Sequence, residues 1–430
     1  MTTRRPYAFG RGARLCCRAL MVFVAAAACG CLAGPEPIPP KEALNRAHQR
    51  ITRLLDEERT QYPAAMAIES PEIPADPARI VVWYPSHPII AAGLRRPGGP
   101  AAFEQAHPGL KLDGQFIGEW HVAVQKLTVA LAAGDVPDIA VVERSWAARL
   151  AQAGRLMPLD GFLPLEVLDD IHPAARDAYA MQGRVWALPA DGFCSVLFFN
   201  RDLVANAPET WDELRNAAPG AKAVRAIGYV PFVESLWSAG GRVCELNQSG
   251  LTAPAAMRTL EFLLELRDSG RTEARMLQDP AWGFSAFLNG DVAMTVGSSE
   301  WLPQTFGAKF SAGMAPVPGE SGPVSRLGDM ALVVFAKYAP AKREGIVAVL
   351  DFLTGPAVQS GEAAFRGSMP VRQSVADTAE IPAGLREAYA AAQAPPFTGV
   401  WSAAEFELWS ALELTYRWAD QTEDSRNKAQ

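Results

Sequence analysis

The residues able to carry covalent or metal chemistry are few and poorly spaced for it. The five histidines, His48, His87, His107, His121 and His172, all precede residue 173. None stands four residues from another, the spacing that puts two imidazoles of one helix face on a metal. No G-x-x-x-x-G-K-[ST] or G-x-G-x-x-G run offers backbone amides to a phosphate. No G-x-S-x-G elbow exposes a nucleophilic serine. The six cysteines include no C-x-x-C pair and no zinc spacing. Metal and histidine-based catalysis therefore lack support, and neither a cofactor nor a metal is expected. Carboxylate pairs are too common for residue type alone to exclude a glycan-cleaving enzyme.

A different set of residues gathers where a small ligand would be held. Short β-branched runs alternate with helical patterns, which argues for α/β layers. Strands are read at 80–83, 110–116, 138–142, 195–199, 223–227, 292–296 and 332–335. Helices are read at 119–133, 145–153, 255–267, 342–353 and 405–418. Thr210-Trp211-Asp212-Glu213 has the form of a capping box, with Trp211 read as core. In open α/β sheets, ligands bind beyond the carboxyl ends of the strands. That rule selects Trp83, Tyr84 and Ser86 after the first strand, Gly118, Glu119 and Trp120 after the second, and Glu143, Ser145 and Trp146 after the third. Farther on it selects Gly228 and Tyr229, then Gly297, Ser298, Ser299 and Trp301. Rings with a few polar groups suit a pyranose. Its C–H face stacks on an aromatic, and its hydroxyls donate to a carboxylate through charge-assisted bonds.

The chain has 430 residues, enough for two or three domains, and a net charge of −7. Five arginines lie before residue 20, and without them 35 basic residues face 47 acidic ones. An acidic chain with no basic run is a poor partner for nucleic acid. Those arginines precede ten apolar residues, 19–28, about half the length of a membrane-spanning helix. Residues 1–31 therefore read as a signal peptide. Residues 32–77 read as a tether and an N-terminal helix, with prolines at 35, 37, 39 and 40 and an apolar face of Leu44, Ala47, Ile51, Leu54 and Leu55. Cys194 and Cys244 can pair in an oxidising compartment, but two buried thiols are the favoured reading.

Ala28-Cys29-Gly30-Cys31 resembles a bacterial lipobox, which implies lipidation of Cys31, or of Cys29, and a chain anchored to the membrane by lipid alone. From about residue 78 to 420 the chain resembles the extracellular solute-binding proteins of ABC importers, in the sugar-binding branch that includes maltose-binding and glycerol-phosphate-binding proteins. Six motifs carry the resemblance in order: His107–Leu112, Leu131–Ile139, Gly154–Asp160, Val196–Leu203, Pro208–Leu214 and Asn289–Met294. It implies a two-lobed periplasmic-binding-protein fold of α/β class with an interdomain cleft and crossing hinge strands. Lobe 1 is expected at 78–194 with 292–335, lobe 2 at 195–291 with 336–420, and a tail at 421–430. Crossings are expected near 194–199, 290–292 and 328–335. The implied function is capture of a di- or oligosaccharide by a monomer and its delivery to an ABC permease and its ATPase.

The resemblance also assigns residues. Glu143 aligns with a ligand-binding glutamate of the glycerol-phosphate branch, Trp120 with a ring, Ser298 and Ser299 with a serine pair, and Gly328 with a glycine of the ligand loop. Three departures stand out. Gly328-Asp329 replaces Gly-Gly, Ser368 replaces a tyrosine, and Trp401 lies where that branch places a phosphate-binding arginine. Exchanging the arginine for a tryptophan removes an anion clamp and adds a stacking plate, which favours a neutral sugar. Asp329 is expected to add repulsion if it faces the site. Ten residues are thus expected at the ligand: Trp83, Tyr84, Trp120, Glu143, Tyr229, Ser298, Ser299, Trp301, Gly328 and Trp401. A glycerophosphodiester binder and an envelope enzyme acting on glycans are the alternatives.

Overall fold

The computed structural model describes residues 36–61, 68–95, 99–217, 225–245, 248–360 and 365–429. The expected signal peptide, with Cys29 and Cys31, lies outside them. Two sheets divide the molecule. The first contains β1 (Arg79–Tyr84), β2 (Lys111–Phe116), β3 (Ile139–Glu143), β4 (Ala187–Pro189) and β9 (Met330–Val334) in the order β2-β1-β3-β9-β4. The first three strands are parallel, and β9 runs antiparallel to β3 and β4, with Met330 opposite Glu143. The second contains β5 (Ser195–Asn200), β6 (Arg225–Ile227), β7 (Val292–Ser298) and β8 (Ala312–Ala315) in the order β8-β5-β7-β6. β3 is apolar up to Glu143, and both β3 and β7 are almost entirely buried, as strands covered on both faces are.

The pairing corrects the expected division of the lobes. β7 lies between β5 and β6, so residues 292–298 belong to lobe 2, and the chain does not cross near 290–292. The helix Arg343–Thr354 packs on β1 and belongs to lobe 1. Only β9 of the expected late lobe-1 segment joins the first sheet. The hinge is visible where Cys194 and Leu327 form an antiparallel bridge and the Gly328 N–H donates to the Phe193 carbonyl at 2.7 Å.

Local chemistry fixes the elements around these sheets. Helix Trp120–Ala133 ends at Gly134, whose φ of 72° lets its N–H reach the last carbonyls. The Glu213 N–H donates to Thr210 Oγ at 3.2 Å, while the Glu213 carboxylate accepts from the Glu209 N–H rather than from Thr210. Trp211 stacks on Phe262 with centroids 4.2 Å apart, a core role as expected. Cys194 and Cys244 are free and buried, and burial pushes both thiols up to about 12.

The N-terminal helix α1 (Pro40–Gln61) is docked on the globular body. Its face of Ala43, Leu44, Ala47, Ile51 and Leu55 is buried in the core of lobe 2, against the long C-terminal helix Trp401–Ala429. Ile38, in the proline-rich stretch before it, is buried in the same cluster. Periodicity gave the helix and its apolar face but not the surface that covers it. Ile51→Ala should destabilise the protein by about 2–4 kcal/mol, the usual loss for a truncated core isoleucine. Thermal denaturation beside the exposed Arg53→Ala checks this, since a free stalk would leave both variants at the wild-type midpoint.

Candidate ligand cleft

The carboxyl ends of β1, β2, β3 and β4 and the amino end of β9 share one edge of the first sheet. The carboxyl ends of β6 and β7 and the amino end of β5 share one edge of the second. The candidate site is assembled from groups at the first of these edges, at the hinge and at the start of the C-terminal helix.

Glu143 ends β3 and precedes the helix Arg144–Gln152 without capping it by its side chain. Its carboxylate is therefore free for other partners. It accepts from Ser402 Oγ at 2.6 Å, and Ser145 Oγ stands 3.4 Å away. Burial raises Glu143 above the ordinary glutamate range; the Ser402 bond opposes the rise, and Asp329 and Glu405 add to it. Arg144, buried next door, donates to Asp329 Oδ1 at 2.6 Å and to the Gly328 carbonyl at 2.7 Å. Arg326 donates to Asp329 Oδ2 at 2.7 Å and pairs with Glu405. Burial alone would raise Asp329, but Arg326 and Arg144 outweigh it and hold the carboxyl below the usual range. Asp329 is therefore neutralised, which corrects the expected repulsion. Glu234 is buried beside Arg326, and desolvation raises it despite that guanidinium.

A second group lies on the edge of the first sheet. His87 Nε2 meets Asp191 Oδ2 at 2.7 Å, and His87 Nδ1 accepts from the Ile90 N–H, which places the ring proton on Nε2. Asp191 Oδ1 accepts from the Phe193 N–H at 3.0 Å. Glu300, from lobe 2, is raised by burial and then by Asp191, against His87 and Arg366.

The ten expected residues divide into two sets. Trp120, at the start of its helix, and Trp301 are half-buried, as are Glu143, Ser298 and Gly328. Trp301 packs on Phe284 with centroids 4.8 Å apart. The Gly328 backbone is used by Arg144 and Phe193. Five others are committed to structure. Tyr84 is core in lobe 1 against Phe116. Trp83 lies along its sheet and donates its indole N–H to Gln115 at 2.9 Å. Tyr229 is buried and stacks with Trp409. Ser299 is fully buried, and its hydroxyl accepts from the Cys194 N–H at 3.1 Å. Trp401 is 2 % exposed in the core of lobe 2, with the Arg326 guanidinium 5.7 Å from its ring, so it offers no free stacking face.

Sequence reasoning passed over Arg144, His87, Asp191, Glu234, Arg326 and Glu405. A signal existed for some of them. His87 and Asp191 follow the ends of β1 and β4, and Glu234 is a lone charge inside Phe232–Trp237. Among the described residues, no cluster of three or more His, Cys, Asp or Glu is arranged to hold a metal. A hollow of about 670 Å³, lined by Trp237, Arg242, Cys244 and Pro396 among others, includes none of the ten.

The sequence pattern of the bacterial extracellular solute-binding proteins matches residues 84–360. A putative binding protein of Brucella abortus is 26% identical over 276 residues, 59% of this chain and 66% of its own. The maltotriose-binding protein of Pyrococcus abyssi is 24% identical over 303 residues, 65% of this chain and 66% of its own. The match thus spans slightly less than two thirds of these relatives. The GacH receptor of Streptomyces glaucescens, solved unliganded and with acarbose, superimposes with a TM-score of 0.63 at 22% identity, over 81% of this chain and 97% of that one.

The charge arrangement predicts a pH dependence. Raised Glu143 and Glu234 hold protons in the native state that the unfolded chain has released, so stability falls as pH rises from the ordinary glutamate range through their raised values. Asp329, held low, acts in the opposite sense: its contribution is present above the ordinary aspartate range and lost only on acidification. Glu234→Gln should equal or exceed the wild-type midpoint at about pH 7.5 and fall less between about pH 5 and about pH 7.5. Thermal denaturation at both values checks it. A lower midpoint with an unchanged slope contradicts it.

Proposed function

The chain belongs to the bacterial extracellular solute-binding proteins, and from that footing we propose that it captures a di- or oligosaccharide between its lobes for an ABC importer. The observation that carries this reading is Glu143. It is a half-buried carboxylate held by serine hydroxyls at the end of β3, while Trp120 beyond β2 and Trp301 beyond β7 are partly open rings. A sugar hydroxyl donates to such a carboxylate as Ser402 does, and a pyranose face stacks on such rings. The names of the maltotriose-binding relative and of the acarbose-bound receptor support a saccharide of the maltodextrin kind. A glycerophosphodiester is disfavoured because Arg144 and Arg326 are both engaged by Asp329. We read the protein as a binding component rather than an enzyme. It would work outside the cytoplasm as a monomer, handing the sugar to the permease that its ATPase drives.

Calorimetric titration with maltotriose tests the reading. A ring or a charge-assisted bond contributes about 1–3 kcal/mol, so Trp120→Ala and Glu143→Gln should each weaken binding roughly 5- to 150-fold. Their melting midpoints should change little. Unchanged affinity with a large fall in midpoint would make both residues structural.

The lipid anchor belongs to the same proposal. Eight residues separate Cys31 from the start of α1 at Pro40. Since α1 is docked on lobe 2, a lipid on Cys31 would hold that lobe close to the membrane. Replacing Cys29 and Cys31 with serine should release the protein from membranes into the aqueous phase of a detergent partition. Retention in the detergent phase would remove the anchor.

A further inference from the structure

The last passage of the described chain from lobe 1 to lobe 2 is short. Phe397 is buried in the core of lobe 1, and Val400 and Trp401 are buried in the core of lobe 2. Thr398 and Gly399 lie between them, and one carboxylate binds both. Glu58, near the end of α1, accepts from Thr398 Oγ at 2.5 Å and from the Gly399 N–H at 2.7 Å. The same carboxylate accepts from Gln152 Nε2 at 2.9 Å, at the end of the lobe-1 helix Arg144–Gln152. A helix docked on lobe 2 thus holds the crossing and lobe 1 at a single point.

The fit there is close. A Cβ built on Gly399 would stand 2.4 Å from Arg149 Cγ, 2.8 Å from Glu58 Oε1 and 3.0 Å from Gln152 Oε1. Arg149 Nε donates to the Gly399 carbonyl at 2.5 Å, so both backbone polar groups of that glycine are engaged. Three residues on, Ser402 donates to Glu143, which immediately precedes the helix carrying Arg149 and Gln152. Both ends of that nine-residue helix are therefore bonded to the segment 398–402, one end through Glu143 and the other through Arg149 and Glu58. The chain that follows α1 has different partners. Glu69 pairs with Arg155, and its N–H donates to the Gly154 carbonyl at 2.8 Å, both in lobe 1.

Domain closure is absorbed by rotation at a few hinge residues. A carboxylate bonded to two such residues and to the adjoining lobe resists the rotation, because charge-assisted bonds are strong and directional. We propose that Glu58 is an interlobe clamp: a positioning residue, supplied by the N-terminal helix, that fixes the angle between the lobes and with it the setting of Ser402 on Glu143. The proposal rests on the two-lobed fold and not on the identity of the ligand, so the loss of the sugar reading would leave it standing.

The test is a pulsed electron-spin distance measurement in the unliganded Cys29→Ser/Cys31→Ser chain. The labels sit on Glu166→Cys of lobe 1 and Glu261→Cys of lobe 2, both exposed positions, while the buried Cys194 and Cys244 stay unlabelled. With Glu58 in place a single distance population is expected. Loss of bonds to a charged group raises an alternative arrangement held at about 1% to about 10% or more, so Glu58→Ala should add a second population of that size. Gln152→Ala, which removes the lobe-1 donor and leaves the buried face of α1 intact, should do the same. Glu58→Gln, which keeps the shape and one acceptor oxygen, should add less than Glu58→Ala. Glu69→Ala should match the parent. Unchanged distances in Glu58→Ala or in Gln152→Ala overturn the clamp. A second population of equal size in Glu69→Ala also overturns it, because loosening the chain away from the crossing would then be enough.

Discussion

The junction of the two lobes depends on one carboxylate. Asp329 receives Arg144 on one oxygen and Arg326 on the other, and Arg326 carries the charge onward to Glu405. Arg144 adjoins the strand end that presents Glu143, and Arg326 lies over Trp401 at the start of the C-terminal helix. Burial of these charges is tolerable only because they are paired; removing one partner of a buried pair typically costs about 3–5 kcal/mol. Both guanidiniums are engaged by the same carboxylate.

The remaining structure positions this junction. Parallel strands bring His87, Glu143 and Asp191 to one edge, and the hinge bridge between Cys194 and Leu327 sets Gly328 and Asp329 beside them. The N-terminal helix contributes from outside. Glu58, near its end, accepts from the Gly399 N–H at 2.7 Å and from Gln152 of lobe 1 at 2.9 Å. A helix docked on lobe 2 is therefore also tied to lobe 1 next to the start of the C-terminal helix.

Much of this was legible in the sequence, and the limits have physical causes. Strand runs such as 138–142 and 292–296 announce themselves because buried strands are continuously apolar. The strand-end rule put Glu143, Trp120 and Trp301 at or just beyond strand ends, where they stand, without knowledge of strand order. It could not assign 292–298 to a lobe, because partners in a sheet are set by long-range pairing and not by local pattern. It admitted Tyr84 because a one-residue difference in register sends a side chain to the opposite face. Trp401 was misread for a related reason: losing an arginine predicts the loss of a clamp, but not whether the ring that replaces it faces solvent or core. Arg144 and Arg326 were missed because single arginines carry no pattern until Asp329 is placed between them.

The most direct measurement of the central claim is native mass spectrometry of the protein purified from its own cell envelope, with fragmentation of any ligand it retains. A cleft whose cations are engaged by Asp329 and whose open carboxylate is Glu143 should hold a phosphate-free saccharide. A retained ligand bearing phosphate, or one built of amino acids, would contradict the account.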